Sequence, residues 1–369
     1  MISVEDAAWM DEALSLAKGA LGTTWPNPAV GCVLVQGARL VASAATGRGG
    51  RPHAEAAALL AAGSAARGAT AYSTLEPCAH TRPGGPCTEA LIAAGVARVV
   101  IAARDPDPRV DGRGIALLRE AGIVVDVGCR AAEAREVLAG FAKRLATGLP
   151  FCTLKLAASL DGRIATSTGE SKWITGEAAR ADGHCLRASH DAIMVGSGTA
   201  LADDPLLTCR LPDLPDRSPV RVVLDRLLRL QPTSRLATTA REVPTWVITG
   251  SADPSRADAL AACGIEIIRL PGADQTARPA LAALAERGIT RLLVEGGATL
   301  AGSLLRAGLV DRLHLYQAPI LLGAQAMPGV GALDLRHLAD APRWRRLEER
   351  RIGHDLLSVL DAAAPEVSA

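Results

Sequence analysis

Strands and helices alternate along nearly the whole chain, and that alternation predicts an α/β fold class. Length divides it: 369 residues, at an ordinary size of about 150 per domain, leave room for two or three domains. Thr147-Gly148-Leu149-Pro150 interrupts the pattern with two backbone breakers, which sets the expected domains at 1–147 and 148–369. Hydrophobic content of 49% and charged content of 21% are globular values that can supply a core for each.

Residues 3–18 read as a helix, with Ser3 and Asp6 as a capping box and Trp9, Ala13 and Leu16 on one face. Trp25-Pro26-Asn27-Pro28 is an extended loop that presents the Asn27 amide. Stretches 30–35 and 40–44 read as a hairpin around Gln36-Gly37-Ala38. A glycine-bearing loop (Gly47, Gly49, Gly50) then leads to His53, which opens an alanine-rich helix to about Ala62. Strand 71–74 runs into the Pro77-Cys78 turn, and Cys87 starts a helix to Ala94. Strand 97–103, helix 114–121 and strand 123–127 complete the expected elements of the first domain.

The chemistry concentrates in His53-Ala54-Glu55, Pro77-Cys78 and Cys87. One imidazole and two thiols suit Zn²⁺, and three protein ligands leave a fourth position for water. Such a zinc lowers the pKa of bound water toward neutrality and makes it a nucleophile. Glu55 is left over as the proton shuttle between that water and a leaving amine. His53 and Glu55, two apart, can serve one site only at the helix N-terminus, because further along a helix they would diverge. A cysteine at a helix start has a lowered pKa, which favours the thiolate that zinc needs. The competing reading is a structural zinc with His80 as fourth ligand, and it leaves Glu55 unexplained.

The order H-x-E…P-C…C belongs to zinc nucleobase deaminases, although eight residues separate the cysteines here instead of two. With that long gap and His80 two residues after Cys78, the stretch from Thr74 to Cys87 resembles the deaminase half of the bifunctional riboflavin-biosynthesis deaminase–reductases. The resemblance implies a cytidine-deaminase-like three-layer α/β/α domain, one zinc per chain, and a pyrimidine contact at Asn27. Two places depart from the family pattern: Thr46 stands where many members have histidine, and Arg82-Pro83-Gly84-Gly85 replaces a more usual Gly-Arg-Thr-Pro. The resemblance places both on the substrate side of the site.

In the second domain, strand 151–157 carries Lys155, Thr175 caps a helix to about Ala188, and buried strand 191–195 ends in a Gly196-Ser197-Gly198-Thr199 turn. Strands at 220–224, 245–249, 265–270, 291–295 and 312–322 alternate with helices near 256–262, 278–287 and 298–307. Two closing strands follow Trp344, with a frayed tail from Ala362. Strand 292–295 enters Gly296-Gly297 and a helix at Ala298, a geometry in which backbone N–H groups can hold a pyrophosphate. It is no G-x-G-x-x-G, so a Rossmann assignment does not follow.

Lys155-Leu156-Ala157-Ala158-Ser159-Leu160-Asp161-Gly162, Gly169-Glu170-Ser171-Lys172-Trp173-Ile174-Thr175, the run from Gly196 to Thr208 and Val294-Glu295-Gly296-Gly297 are similar, in the same order, to the reductase half of that family. This implies a dihydrofolate-reductase-like α/β domain that uses NADPH. Implied cofactor contacts are Ala157, Trp173, Thr199, Asp203 and the stretch Gly297, Ala298, Thr299, Leu300, Ala301, Gly302 and Ser303. Implied substrate contacts are Ser171, Arg187, Leu206, Arg210 and Glu295. Guanidinium forks at Arg187 and Arg210 suit a ribose 5-phosphate, and Lys155 with Glu295 is the ionisable pair for proton handling. The resemblance also implies a homo-oligomer, dimer or tetramer.

Composition excludes other partners. The net charge of +1 gives no general pull toward nucleic acid or anionic membrane. Residues 1–147 carry 15 Lys+Arg against 14 Asp+Glu, and 2% aromatic content is poor in stacking rings for single strands. The expected substrate is therefore a small molecule. No apolar run approaches a bilayer span. Eight irregularly spaced cysteines without a signal-peptide pattern fit a reduced cytoplasm, with Cys32, Cys129, Cys152, Cys185, Cys209 and Cys263 as core thiols.

Overall fold

The computed structural model describes residues 2–80, 85–270 and 277–363. It divides into two compact units, Met1–Leu149 and Pro150–Ala369.

In the first unit, strands β1 (Gly31–Gln36), β2 (Arg39–Ala45), β3 (Thr70–Leu75), β4 (Arg98–Ala103) and β5 (Val124–Val127) form one sheet in the order β2-β1-β3-β4-β5. The pairs β1–β2 and β1–β3 are antiparallel; β3–β4 and β4–β5 are parallel. The period-two alternation of strand side chains sorts the core into two layers. Cys32, Leu34, Ala71, Val99 and Ile101 face α2 (Ala54–Ala62), α3 (Cys87–Ala94) and α4 (Arg113–Glu120). Val33, Val35, Tyr72 and Val100 face α1 (Val4–Ala20) and α5 (Ala131–Thr147). The result is the three-layer α/β/α arrangement that the alternation requires.

The Ser3–Asp6 capping box is present. Asp6 does more than cap: its carboxylate accepts from Arg98 through both guanidinium nitrogens, at 2.7 and 3.1 Å, and from the Tyr72 hydroxyl at 2.9 Å. It thereby fastens α1 to β3 and β4. Helix α1 runs through Gly19 to Ala20, past the expected end at residue 18.

In the second unit, nine strands follow the order β11-β10-β9-β8-β12-β6-β13-β16-β15. They are β6 (Phe151–Ser159), β8 (Ala192–Gly196), β9 (Val220–Leu224), β10 (Thr245–Thr249), β11 (Glu266–Arg269), β12 (Arg291–Glu295), β13 (Arg312–Ala318), β15 (Trp344–Ile352) and β16 (Asp355–Ala362). The first seven in that order pair in parallel, and only β13–β16 and β16–β15 are antiparallel. A separate ribbon joins β7 (Arg163–Ala165) to β14 (Met327–Pro328). Helices α6 (Glu177–Ala188), α7 (Ser197–Asp203), α8 (Arg235–Thr238), α9 (Pro254–Ala262), α10 (Ala277–Glu286) and α11 (Ala298–Arg306) connect the strands.

Several expectations need correction. The N-cap of α6 is Gly176, not Thr175, and its N–H donates to Asp355 Oδ2 at 2.7 Å. The 196–199 segment is not a turn, because α7 begins at Ser197 with Gly196 as its cap. Ala362 closes β16 instead of fraying, and residues beyond 363 lie outside the described ones. Cys185 is exposed and Cys263 half-buried, so only four of the six thiols expected in the core are buried.

Arg221, on β9, is fully buried. Its guanidinium donates to the carbonyls of Leu206, Thr239 and Val243, the arrangement that makes a buried cation tolerable. It ties the segment after α7 to the sheet.

Asp6 supplies a test of the first unit. Its paired, buried carboxylate is held far below the usual carboxylate range by the hydrogen bonds from Arg98, against the opposing effect of burial. A depressed folded-state pKa contributes stability that is complete above the unfolded value of about 4 and is lost as pH falls toward the folded value. Asp6→Asn is expected to cost about 2–4 kcal/mol at neutral pH and to flatten the acid limb of the stability curve. Denaturant titrations at several pH values check this, and an unchanged midpoint contradicts it.

Candidate active sites

Three chain segments meet at one end of the first sheet. His53 is the N-cap residue of α2, Cys78 follows β3, and Cys87 is the first residue of α3. His53 Nδ1 lies 3.7 Å from Cys78 Sγ and 3.5 Å from Cys87 Sγ, and all three donor atoms fall within 4.8 Å of one another. The Cys87 backbone N–H reaches Cys78 Sγ at 3.3 Å, a contact that favours a thiolate. One nitrogen and two sulfurs at mutual van der Waals distance fit a tetrahedral Zn²⁺ with one position left for a non-protein ligand. His80 is not in this donor group, which removes the four-ligand structural reading among the described residues.

Glu55, in the first turn of α2, is 4% exposed. One carboxylate oxygen lies 3.4 Å from Cys87 Sγ, the other 3.3 Å from Ser73 Oγ. Burial raises its pKa, with the Cys78 sulfur adding to the rise and His53 opposing it. Sequence reasoning overlooked Ser73, whose hydroxyl is shared between Glu55 and the Leu75 carbonyl at 2.8 Å.

The Pro77-Cys78 turn is braced from outside. Glu76 is buried and accepts from the backbone N–H groups of Asp105, Gly112 and Ile115. A Cβ at Gly114 would stand 2.1 Å from the Pro77 carbonyl oxygen, so only glycine lets α4 approach this closely. Asp105 beside it is buried, and burial pushes its carboxyl up to about 6. Neither residue carries a local motif; their role depends on a contact some 30 residues away.

Asn27 donates its amide to the Gly50 carbonyl at 3.1 Å and so braces the loop that delivers His53. Thr46 is buried, and its hydroxyl accepts from the Val30 N–H at 3.0 Å. Arg82, Pro83 and Gly84 lie outside the described residues.

The second unit holds a cavity of about 920 Å³ along the carboxyl ends of β6, β8 and β12. Lys155, Ala157, Ser171, Trp173, Arg187 and Thr199 line it, as do Asp203, Leu206, Arg210, Glu295, Gly297 and Ala298. Thr299, Leu300 and Ser303 instead line a neighbouring cavity of about 360 Å³. Ala301 and Gly302 line neither: Ala301 is fully buried, and Gly302 lies against Gly331.

Arg187 is not free for a phosphate. Nε and Nη2 make a bidentate pair with Glu295 at 2.7 and 2.8 Å, and Nη1 donates to the Thr208 carbonyl. Burial would raise the Glu295 carboxyl, but Arg187 outweighs it and holds the group down at about 2. Glu295 is therefore a fixed anion. Lys155, on the adjacent strand, is pulled below the usual lysine range by burial, with Glu295 opposing that shift. The guanidiniums that remain on the cavity wall are Arg210 and Arg235, the second of which sequence reasoning overlooked. His184 accepts the Arg210 N–H, and His190 sits buried between Leu186 and Thr153.

Residues 3–103 match the cytidine and deoxycytidylate deaminase zinc-binding region, and residues 150–358 match the RibD C-terminal domain. Fold and sites together thus define a zinc deaminase joined to a reductase. The chain is 44% identical over 350 residues to the riboflavin biosynthesis protein RibD of Bacillus amyloliquefaciens, covering 94% of each. It superposes on RibD of Acinetobacter baumannii (form 2) with a TM-score of 0.86 at 38% identity, covering 97% of this chain and 99% of that one. The diaminohydroxyphosphoribosylaminopyrimidine deaminase/5-amino-6-(5-phosphoribosylamino)uracil reductase of Thermotoga maritima gives the same TM-score at 32% identity, with the same coverage. The chain belongs to the RibD family of riboflavin biosynthesis proteins. It is a bifunctional enzyme: a zinc-dependent deaminase of 2,5-diamino-6-ribosylamino-4(3H)-pyrimidinone 5′-phosphate and an NADPH-dependent reductase that converts the ribosyl group to ribityl.

The brace at Gly114 is testable apart from catalysis. Gly114→Ala is expected to displace the Pro77-Cys78 turn and reduce bound zinc, whereas Gly19→Ala, which meets nothing within 4 Å, retains it. Metal analysis of the purified proteins reads both. Full zinc in Gly114→Ala contradicts the bracing role.

Proposed function

We propose that the deamination runs on His53, Cys78, Cys87 and Glu55, and the reduction on the cavity around Lys155 and Glu295. The observation that carries the first half is the buried Glu55 carboxylate beside a three-donor set, 3.4 Å from Cys87 Sγ. His53, Cys78 and Cys87 would hold zinc, which would supply an acidified water as the nucleophile toward the amino-bearing carbon. Glu55 Oε2 then takes a proton and returns it to the departing amine as ammonia, and its burial favours the protonated form needed for the second step. Asn27, next to the His53 loop, is the proposed pyrimidine contact.

In the reductase half, Thr199, Asp203, Ala157, Trp173 and the start of α11 hold the cofactor. Backbone N–H groups after Gly297 face the pyrophosphate. Ser171, Leu206 and Arg210 hold the substrate, and Arg187 acts through Glu295 by keeping it anionic. Between the ionisable groups only Lys155 is placed to move a proton at the reacting sugar, since Glu295 stays charged. The family resemblance supports a cytoplasmic homo-oligomer acting on a small molecule. The near-neutral first domain supports the absence of a nucleic-acid partner.

Separate assays of ammonia release and NADPH oxidation test this division. Glu55→Gln is expected to lose ammonia release by at least about a hundredfold, with zinc retained and reduction of deaminated substrate unchanged. Lys155→Met is expected to give the converse pattern. Normal reductase turnover in both Lys155→Met and Glu295→Gln contradicts the second assignment.

A further inference from the structure

Lys155 has an aromatic neighbour that the chemistry proposed above does not use. Strand β6 lies between β12, which sets Glu295 opposite Lys155, and β13, which sets His314 opposite Lys155 and Tyr316 opposite Ala157. Residues paired in this way share one face of the sheet. The Lys155 ammonium stands over the Tyr316 ring, 5.6 Å from its centre, within the distance at which the negative face of an aromatic ring attracts a cation. The ring is 1% exposed and packs with Ala179, Leu357 and Val359. Its hydroxyl donates to Asp182 Oδ2 at 2.5 Å, and Asp182 Oδ1 accepts from Arg350 Nη2 at 2.8 Å. Packed along its body and tied at its tip, the ring has no freedom to turn away. Burial, reinforced by Asp182, pushes the Tyr316 phenol well above its ordinary range, so the ring stays neutral.

The other groups around the ammonium are few. Glu295 faces it from β12, with Arg187 and His184 of α6 around that carboxylate. His314 is its partner on β13, and Arg210 shares the cavity wall. Burial pushes both histidines down to about 4, so neither changes charge where a lysine titrates. Burial and Arg187 oppose the ammonium and Glu295 favours it. The ring face adds to the favourable side without bringing a charge of its own.

We infer that Tyr316 is a positioning residue of the reduction: its ring, anchored through Asp182, holds the Lys155 ammonium in place beside Glu295. The inference rests on the proposed role of Lys155 in moving the proton. Tyr316 lines neither cavity, so its effect reaches the reaction only through the lysine.

The test follows Lys155 in the full-length protein through the pH dependence of its acylation by an amine reagent. Peptide mass mapping reads it, with the exposed Lys18 as internal reference. The pH profile of kcat/KM for NADPH-dependent reduction is recorded alongside. Tyr316→Phe keeps the ring and is expected to leave both close to the parent. Fluorinated phenylalanines introduced at the same position keep the shape of the ring while withdrawing charge from its face. With them the lysine is expected to lose its proton at progressively lower pH, by about half a unit to one unit for three fluorines. The limb of the kcat/KM profile set by Lys155 moves with it. A titration that ignores fluorination overturns the inference, as does one that falls as far in Tyr316→Phe as with the trifluorinated ring. Lys155→Met separates this from the underlying reading. If reduction survives that substitution, Lys155 moves no proton and both fall. If reduction is lost while fluorination leaves the lysine unmoved, only the role of Tyr316 falls.

Discussion

The structure of the first unit turns on bringing an imidazole and two sulfurs together at the ends of secondary-structure elements. Those are the places where side chains and unpaired backbone N–H groups converge. His53 and Cys87 each stand at a helix start, and Cys78 leaves a strand end. Three donors brought from separate elements cannot shift independently, so the brace behind the Pro77-Cys78 turn, Glu76 packed against Gly114, acts on the geometry of the donor set. The same convergence explains how His53 and Glu55, two residues apart, address one point. On a helix interior they would not.

The second unit uses a different device. A mainly parallel sheet aligns the ends of β6, β8 and β12, so that Lys155 and Glu295 lie side by side in register. The Arg187 pair then fixes the charge of one, while burial lowers the proton affinity of the other. One buried ion pair thus keeps Glu295 charged beside a lysine whose proton affinity is lowered by burial. Arg221 performs a purely structural version of the same task, spending its guanidinium on backbone carbonyls to hold the segment that carries Leu206.

Much of this was legible in the sequence wherever function imposes local spacing. His53, Glu55, Cys78 and Cys87 could be read because ligand chemistry demands particular residue types at element starts. What stayed hidden depends on tertiary contact or lacks a local start signal. Helix α5 begins after Arg130, a non-glycine residue at φ 56° with no side-chain cap, and contains Gly140, so nothing in the sequence marks its start. The β7–β14 ribbon is too short for a period to show. The pairing of the Arg187 fork with Glu295, 108 residues away, could not be read from the sequence. The hydrogen bond from the Val30 N–H to Thr46 Oγ1 likewise joins residues 16 apart and leaves no local signal.

The most direct measurement of the central claim is X-ray absorption at the zinc edge of the full-length protein, paired with metal stoichiometry. The account predicts one zinc per chain with two sulfur and two nitrogen or oxygen scatterers, one of the latter exchangeable for a small anion. A site with no exchangeable ligand, a second imidazole from His80, or no zinc at all would contradict it.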